Sequence, residues 1–170
     1  MANITLAEAV KLKSVLSKRI HELEDEMLRV GFVQIESGSE LPKQNRTLAK
    51  VEQDIEEIRA DFRLLDKLVY KANIENTITY RNDALTIVEA IELATQLRAK
   101  AKKEKELSLL EKEEHLYYGE ATTMVRVALF EPEEYRQRAV ETERLANRVS
   151  NLINAKNYSI ELEFDVEKYF

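Results

Sequence analysis

Between Leu48 and Ala72, eight apolar residues fall at alternating three- and four-residue steps: Leu48, Val51, Ile55, Ile58, Phe62, Leu65, Val69 and Ala72. Glu, Asp, Lys and Arg crowd the positions between them. This spacing predicts a helix of about seven turns with a narrow apolar seam, of the kind found in coiled coils and long bundle helices. Such a helix cannot bury its seam alone, so the rest of the chain must supply a second apolar surface.

The N-terminal stretch supplies one. Thr5-Leu6-Ala7-Glu8 has the form of a capping box, in which a Thr hydroxyl and a Glu three residues later satisfy each other's backbone amides. Behind it Leu6, Ala9, Leu16, Ile20, Leu23, Met27 and Val30 repeat the same spacing, with Lys13 in the one charged core slot. The repeat stops at Gly31, a residue suited to ending a helix. Residues 32–43, with Ser37-Gly38-Ser39 and Pro42, then read as the connection of two antiparallel helices.

After Ala72 the pattern breaks, and Asn73 to Asp83 has the Asn- and Thr-rich composition of a structured loop. Thr86-Ile87-Val88-Glu89 forms a second capping box. The helix it opens carries Ile87, Ile91, Ala94 and Leu97, then a run from Arg98 to Lys105 dominated by Lys. A solvated face is the simpler account of that run, and an anion-binding patch the functional one. Met124 to Phe130 is β-branched and apolar, as in a strand. Glu131-Pro132 restarts a helix with Pro at its favoured first position, and Tyr135, Thr142, Leu145, Val149 and Leu152 mark its inner face. In the tail, Ile160, Leu162, Phe164 and Val166 alternate with acids, predicting a strand with one buried face.

The expected fold is therefore mainly α: a long antiparallel coiled-coil hairpin, two further helices and two short strands. We expect one helical domain over 1–170, with helices at 5–31, 44–72, 86–116 and 132–157 and strands at 123–130 and 159–166. Only 3 glycines and 2 prolines punctuate the 170 residues, which agrees with few turns.

Charge and chemistry narrow the function. A net charge of −6 argues against general nucleic-acid binding, which needs a positive field, but leaves room for a local basic pocket. No apolar run is long enough to span a bilayer, and no basic-then-apolar leader is evident, so a cytoplasmic protein without membrane contact is expected. The chain has 0 cysteines, and its 2 histidines, His21 and His115, are far apart. Lys112 stands where a Glu-x-x-His metal motif would need an acid, and no phosphate-cradling glycine loop occurs. Hence no enzyme activity, metal or cofactor is expected.

Polar residues remain where a plain bundle does not need them. Lys71 lies at the end of the second helix, and Asn73, Asn76 and Arg81 lie in the break after it. Tyr118 and Arg126 flank or enter the first strand, and Asn154, Asn157 and Tyr158 close the last helix. Singly, each asparagine is a good cap or turn residue. Together these are the groups that pair phosphates (Lys71, Arg81, Arg126), read hydroxyls or base edges (the four asparagines) and stack on rings (Tyr118, Tyr158).

The chain resembles the septicolysin-like bacterial and phage proteins. The match is carried by Leu6-Ala7-Glu8-Ala9 with Leu16-Ser17-Lys18-Arg19-Ile20, by Asn73–Thr77 with the helix start at Thr86–Ala90, and by Asn154-Ala155-Lys156-Asn157-Tyr158. Where the family has an Arg-Thr pair between its two asparagines this chain has Ile74-Glu75, so the part of that Arg would pass to Lys71 or Arg81. The resemblance implies a helical hairpin assembled as a homo-oligomer. In type the chain is also similar to phage sponge proteins, which bind a nucleotide immune signal and withhold it from its receptor. That similarity implies a non-enzymatic inhibitor of anti-phage defence, binding an ADP-ribose-derived signal of the TIR (Thoeris) kind in the bacterial host cytoplasm. The alternative is a coiled-coil scaffold with no small-molecule ligand.

Overall fold

The computed structural model describes residues 3–117 and 123–169. Among these, four helices dominate and the strands are short, so the fold is mainly α. Backbone contacts divide the chain into two compact units. One joins the residues up to Glu75 with those from Asn157 onward, and the other is continuous from Asn76 to Lys156.

The first unit is built on helices α1 (Leu6–Val30) and α2 (Leu48–Glu75). Thr5 caps α1 as the sequence predicts: its hydroxyl accepts the Glu8 amide at 3.2 Å, and the Glu8 carboxylate accepts the Thr5 amide at 2.8 Å. Gly31 closes the helix in a right-handed rather than left-handed conformation, its amide donating to the Met27 carbonyl at 2.9 Å. The two helices run antiparallel, since Lys13 pairs with Asp66 while Glu24 pairs with Arg59 and Glu26 with Arg46. Of the α2 seam, Val51, Ile55, Leu65, Val69 and Ala72 are buried, Ile58 and Phe62 half-buried, and Leu48 exposed at its start. From α1 come Leu6, Ala9, Leu12, Leu16 and Leu23, with Leu12 buried although it falls outside the expected spacing. Burying an aliphatic side chain of this size contributes about 1.5–3 kcal/mol, which makes the paired seams the main source of order in this unit.

The C-terminal tail completes the unit. Strand β1 (Asn3–Thr5) pairs antiparallel with the last strand, β6 (Glu161–Glu163), in the register Ile4 to Leu162. Ile160, Leu162 and Phe164 are buried while Glu161, Glu163 and Asp165 face solvent, so the alternation holds although only three residues form ladder bonds. The Tyr169 hydroxyl donates to Asp61 on α2 at 2.5 Å and anchors the end of the tail.

In the second unit, three expectations are corrected. The stretch after Ala72 is more regular than the structured loop expected: α2 continues to Glu75, and β2 (Thr77–Tyr80) and β3 (Asp83–Thr86) form a hairpin. Its two-residue turn, Arg81-Asn82, has φ of 50° and 70°, the positive values that tight hairpin turns require and that Asn tolerates well. The third helix, α3 (Ile87–Ser108), stops eight residues short of the expected 116. Residues Glu113–Tyr117 are instead strand β4, paired with β5 (Thr123–Val127), so the strand expected over 123–130 is shorter and has a partner the sequence did not suggest. Thr86 caps α3 with Glu89 in the predicted box. Helix α4 (Pro132–Asn157) starts at Pro132 as expected. Arg98 on α3 donates to Ser150 on α4, and residues near 104 share a cavity with residues near 142, so these helices also run antiparallel.

Candidate functional site

The site grows out of the side chains that α3 and α4 bury. Along α3 these are Ile87, Ala90, Ala94 and Glu104; along α4 they are Ala139, Thr142, Ala146, Val149 and Ile153. Of these, Glu104 and Thr142 border a cavity of about 610 Å³. Pockets of this size accommodate nucleotide-sized ligands.

Four cations line the cavity: Arg81 from the hairpin turn, Lys100 and Lys103 from α3, and Arg138 from α4. Two carboxylates, Glu104 and Glu141, also border it, with Tyr135 and Thr142. Lys103 pairs at 2.5 Å with Glu106, whose carboxyl that hydrogen bond holds below its ordinary value. Arg138 lies 3.8 Å from Glu134 and stacks 4.9 Å from the Tyr135 ring centre. Phe130 meets the same ring edge-on at 5.1 Å, which fixes its plane. Among the described residues no carboxylate lies in ion-pair range of Arg81; its guanidinium lies 5.4 Å from the Tyr80 ring centre.

Glu104 is the unusual member. It is 7% exposed, its Oε1 stands 3.9 Å from Lys100 Nζ, and its Oε2 is buried with no hydrogen-bond partner among the described residues. Carboxylates are almost never buried unless paired, and an unpaired oxygen costs folding free energy.

Of the residues singled out in the sequence, Arg81 lines this cavity. In the same unit, Arg126 on β5 sits 3.2 Å from Glu114 across the ribbon, and Asn154 is exposed on α4 roughly 13 Å along the axis beyond Leu145. The Asn76 carbonyl accepts the amide of Ile87, tying the hairpin to the start of α3. Lys71 is on α2, within the expected helix, 3.9 Å from Glu75, and Asn73 is on α2 rather than in a loop. Asn157 ends α4 with its Oδ1 buried and unpaired, and Lys11 stands 5.9 Å from the Tyr158 ring centre. Tyr118 lies outside the described residues. The basic run from Arg98 to Lys105 proves to contribute to the cavity, through Lys100 and Lys103. Glu104, Tyr135 and Arg138 were not anticipated as site residues. For Glu104 a signal existed: continuing 87, 90, 94, 97 and 101 by three puts an acid in the seam.

No protein-family model matches this sequence, and no curated protein matches it. The fold resembles a crystal structure described as that of a functionally unknown conserved protein from Corynebacterium diphtheriae, with a TM-score of 0.70 and 20% identity over 95% of this chain and 100% of that one. At that identity the likeness concerns the fold alone. No described helix is long and apolar enough to cross a membrane.

Proposed function

We propose that this protein is a non-enzymatic binder of a small nucleotide-like anion, held in the cavity between α3 and α4. The observation that carries the reading is the meeting of Arg81, Lys100, Lys103 and Arg138 around one cavity in a chain of net charge −6. Guanidinium and ammonium groups pair phosphate oxygens, and Tyr135, braced by Phe130, offers a ring for a base to stack on. In the setting that the sequence resemblance implies, the ligand is an ADP-ribose-derived immune signal and the protein acts by withholding it from its receptor. Sequestration needs no chemistry, only more sites than signal molecules.

Assembly belongs to the same proposal. The β4–β5 ribbon leaves Met124, Val125 and Val127 largely exposed, and we place the contact between copies of the chain there.

The test is thermal unfolding against a panel of nucleotides that includes cyclic and histidine-linked ADP-ribose. A ligand at about 100 times its dissociation constant should add roughly 2.7 kcal/mol to the native state. Arg81→Ala should weaken that ligand roughly ten- to a hundredfold, the worth of one charge-assisted hydrogen bond, and the ligand should be recovered intact. If no compound shifts the transition, the paired seams of α1 and α2 become the better guide, as a coiled-coil scaffold for a partner helix.

A further inference from the structure

A carboxylate among phosphate-pairing cations works against anion binding in general, so its presence in this cavity says something about the ligand. We propose that Glu104 is the specificity-determining residue of the site: its carboxylate accepts hydrogen bonds from sugar hydroxyls, so the ligand is a ribose-bearing phosphate compound and not a bare polyphosphate. This rests on the anion-binding reading above and deepens it.

Three observations converge. First, Glu104 occupies a slot of the α3 seam that an apolar side chain would fill without penalty, and it is 7% exposed there. Its Oε2 has no partner, so the empty protein bears a desolvation cost that a ligand's O–H donors would offset. Second, Lys100 Nζ stands 3.9 Å from Oε1. One oxygen thus faces a cation of the same cavity while the other is left over, which gives the carboxylate a defined orientation. Third, the buried Thr142 lines the same cavity and brings a hydroxyl that both donates and accepts.

The chemistry follows from these groups. A carboxylate has only acceptor sites, so it rewards a ligand that brings donors and repels one that brings nothing but negative charge. Acidic side chains accept from ribose hydroxyls in dinucleotide sites for this reason. A cavity with cations for phosphates and one buried acid for hydroxyls discriminates strongly against an analogue lacking the hydroxyls, because that analogue leaves the acid unpaired in a desolvated place.

The experiment uses the full-length protein and titration calorimetry with ADP-ribose, ADP, 2′,3′-dideoxy-ADP and pyrophosphate. Wild type should bind ADP-ribose or ADP at least about tenfold more tightly than the dideoxy compound. Glu104→Gln, whose amide oxygen still accepts, should keep part of that preference and bind pyrophosphate more tightly than wild type does, since a repelling charge is gone. Glu104→Leu should lose the preference, and in the absence of ligand should unfold at the same temperature as wild type or higher. Equal binding of the ribo and dideoxy compounds by wild type overturns this inference and leaves the anion-binding reading standing. Retention of the preference in Glu104→Leu, or a lower unfolding temperature in that variant, also overturns it. If wild type binds none of the four, pyrophosphate included, the anion-binding reading falls and this inference with it.

Discussion

Lys13 and Glu104 are the same anomaly, a charge in the core slot of a helix seam, resolved in opposite ways. Lys13 pairs with Asp66 across the α1–α2 contact, and its ammonium lies 5.7 Å from the Phe62 ring centre and 5.6 Å from that of Tyr70. Glu104 has one distant cation and an oxygen left unpaired. Spacing shows that both break a pattern, but what answers each charge comes from another element and is invisible in one helix's own periodicity. The same holds for depth of burial along a seam. Leu65 is 0% exposed and Leu48 is 37% exposed, although both fit the repeat equally well. Leu65→Ala should therefore cost about 2–5 kcal/mol in urea-induced unfolding, and Leu48→Ala less than about 1 kcal/mol. Comparable losses at the two positions would mean that the start of α2 packs as tightly as its middle.

The elements that the sequence predicted well carry their own signals: capping boxes at Thr5 and Thr86, Pro132 at a helix start, and strict alternation from Ile160. Those it missed depend on a partner strand. Glu113–Tyr117 is rich in helix-forming Glu and follows a helical stretch, yet it pairs with β5 over five residues, with Glu114 and Arg126 opposite each other at 3.2 Å. Lys112 reinforces the end of the ribbon by donating to the Phe130 carbonyl at 2.9 Å and to Glu131 at 2.5 Å. Tertiary pairing overrides local propensity in such places. The β2–β3 hairpin was hidden by its composition, since Asn and Thr suit loops as well as turns. A two-stranded ribbon is marginal in water without further packing. If copies of the chain meet at β4–β5, Val127→Lys should reduce the mass seen by light scattering while leaving the helical circular dichroism intact. An unchanged mass would place any assembly elsewhere.

For the whole molecule, the acid limb of stability is set by a few carboxylates. The Arg46 guanidinium bridges Glu26 at 2.9 Å and Asp54 at 2.5 Å, and its hydrogen bonds hold both carboxyls below their ordinary values. The Thr5 backbone and hydroxyl do the same for Glu8, and the Thr86 hydroxyl and backbone for Glu89. A depressed carboxyl binds protons more readily unfolded than folded, so the stability it contributes is present above its unfolded value and is lost as pH falls. The unfolding temperature should hold nearly level from neutral pH to about pH 5.5 and drop progressively below pH 4.5. Arg46→Ala should lower the plateau and make the acid drop shallower. An acid limb as steep in that variant as in wild type would shift the cause to the helix caps.

The pairing of β1 with β6 has a consequence for the order of events on the ribosome. Asn3 finds its register opposite Glu163, so β1 has no strand partner until synthesis has passed through α1 to α4 and reached β6. The stretch from Asn76 to Lys156 is unbroken and can acquire its structure first, in line with the domain-by-domain folding of nascent chains. Ile4, made long before its partner Leu162, would then wait in water until that partner arrives.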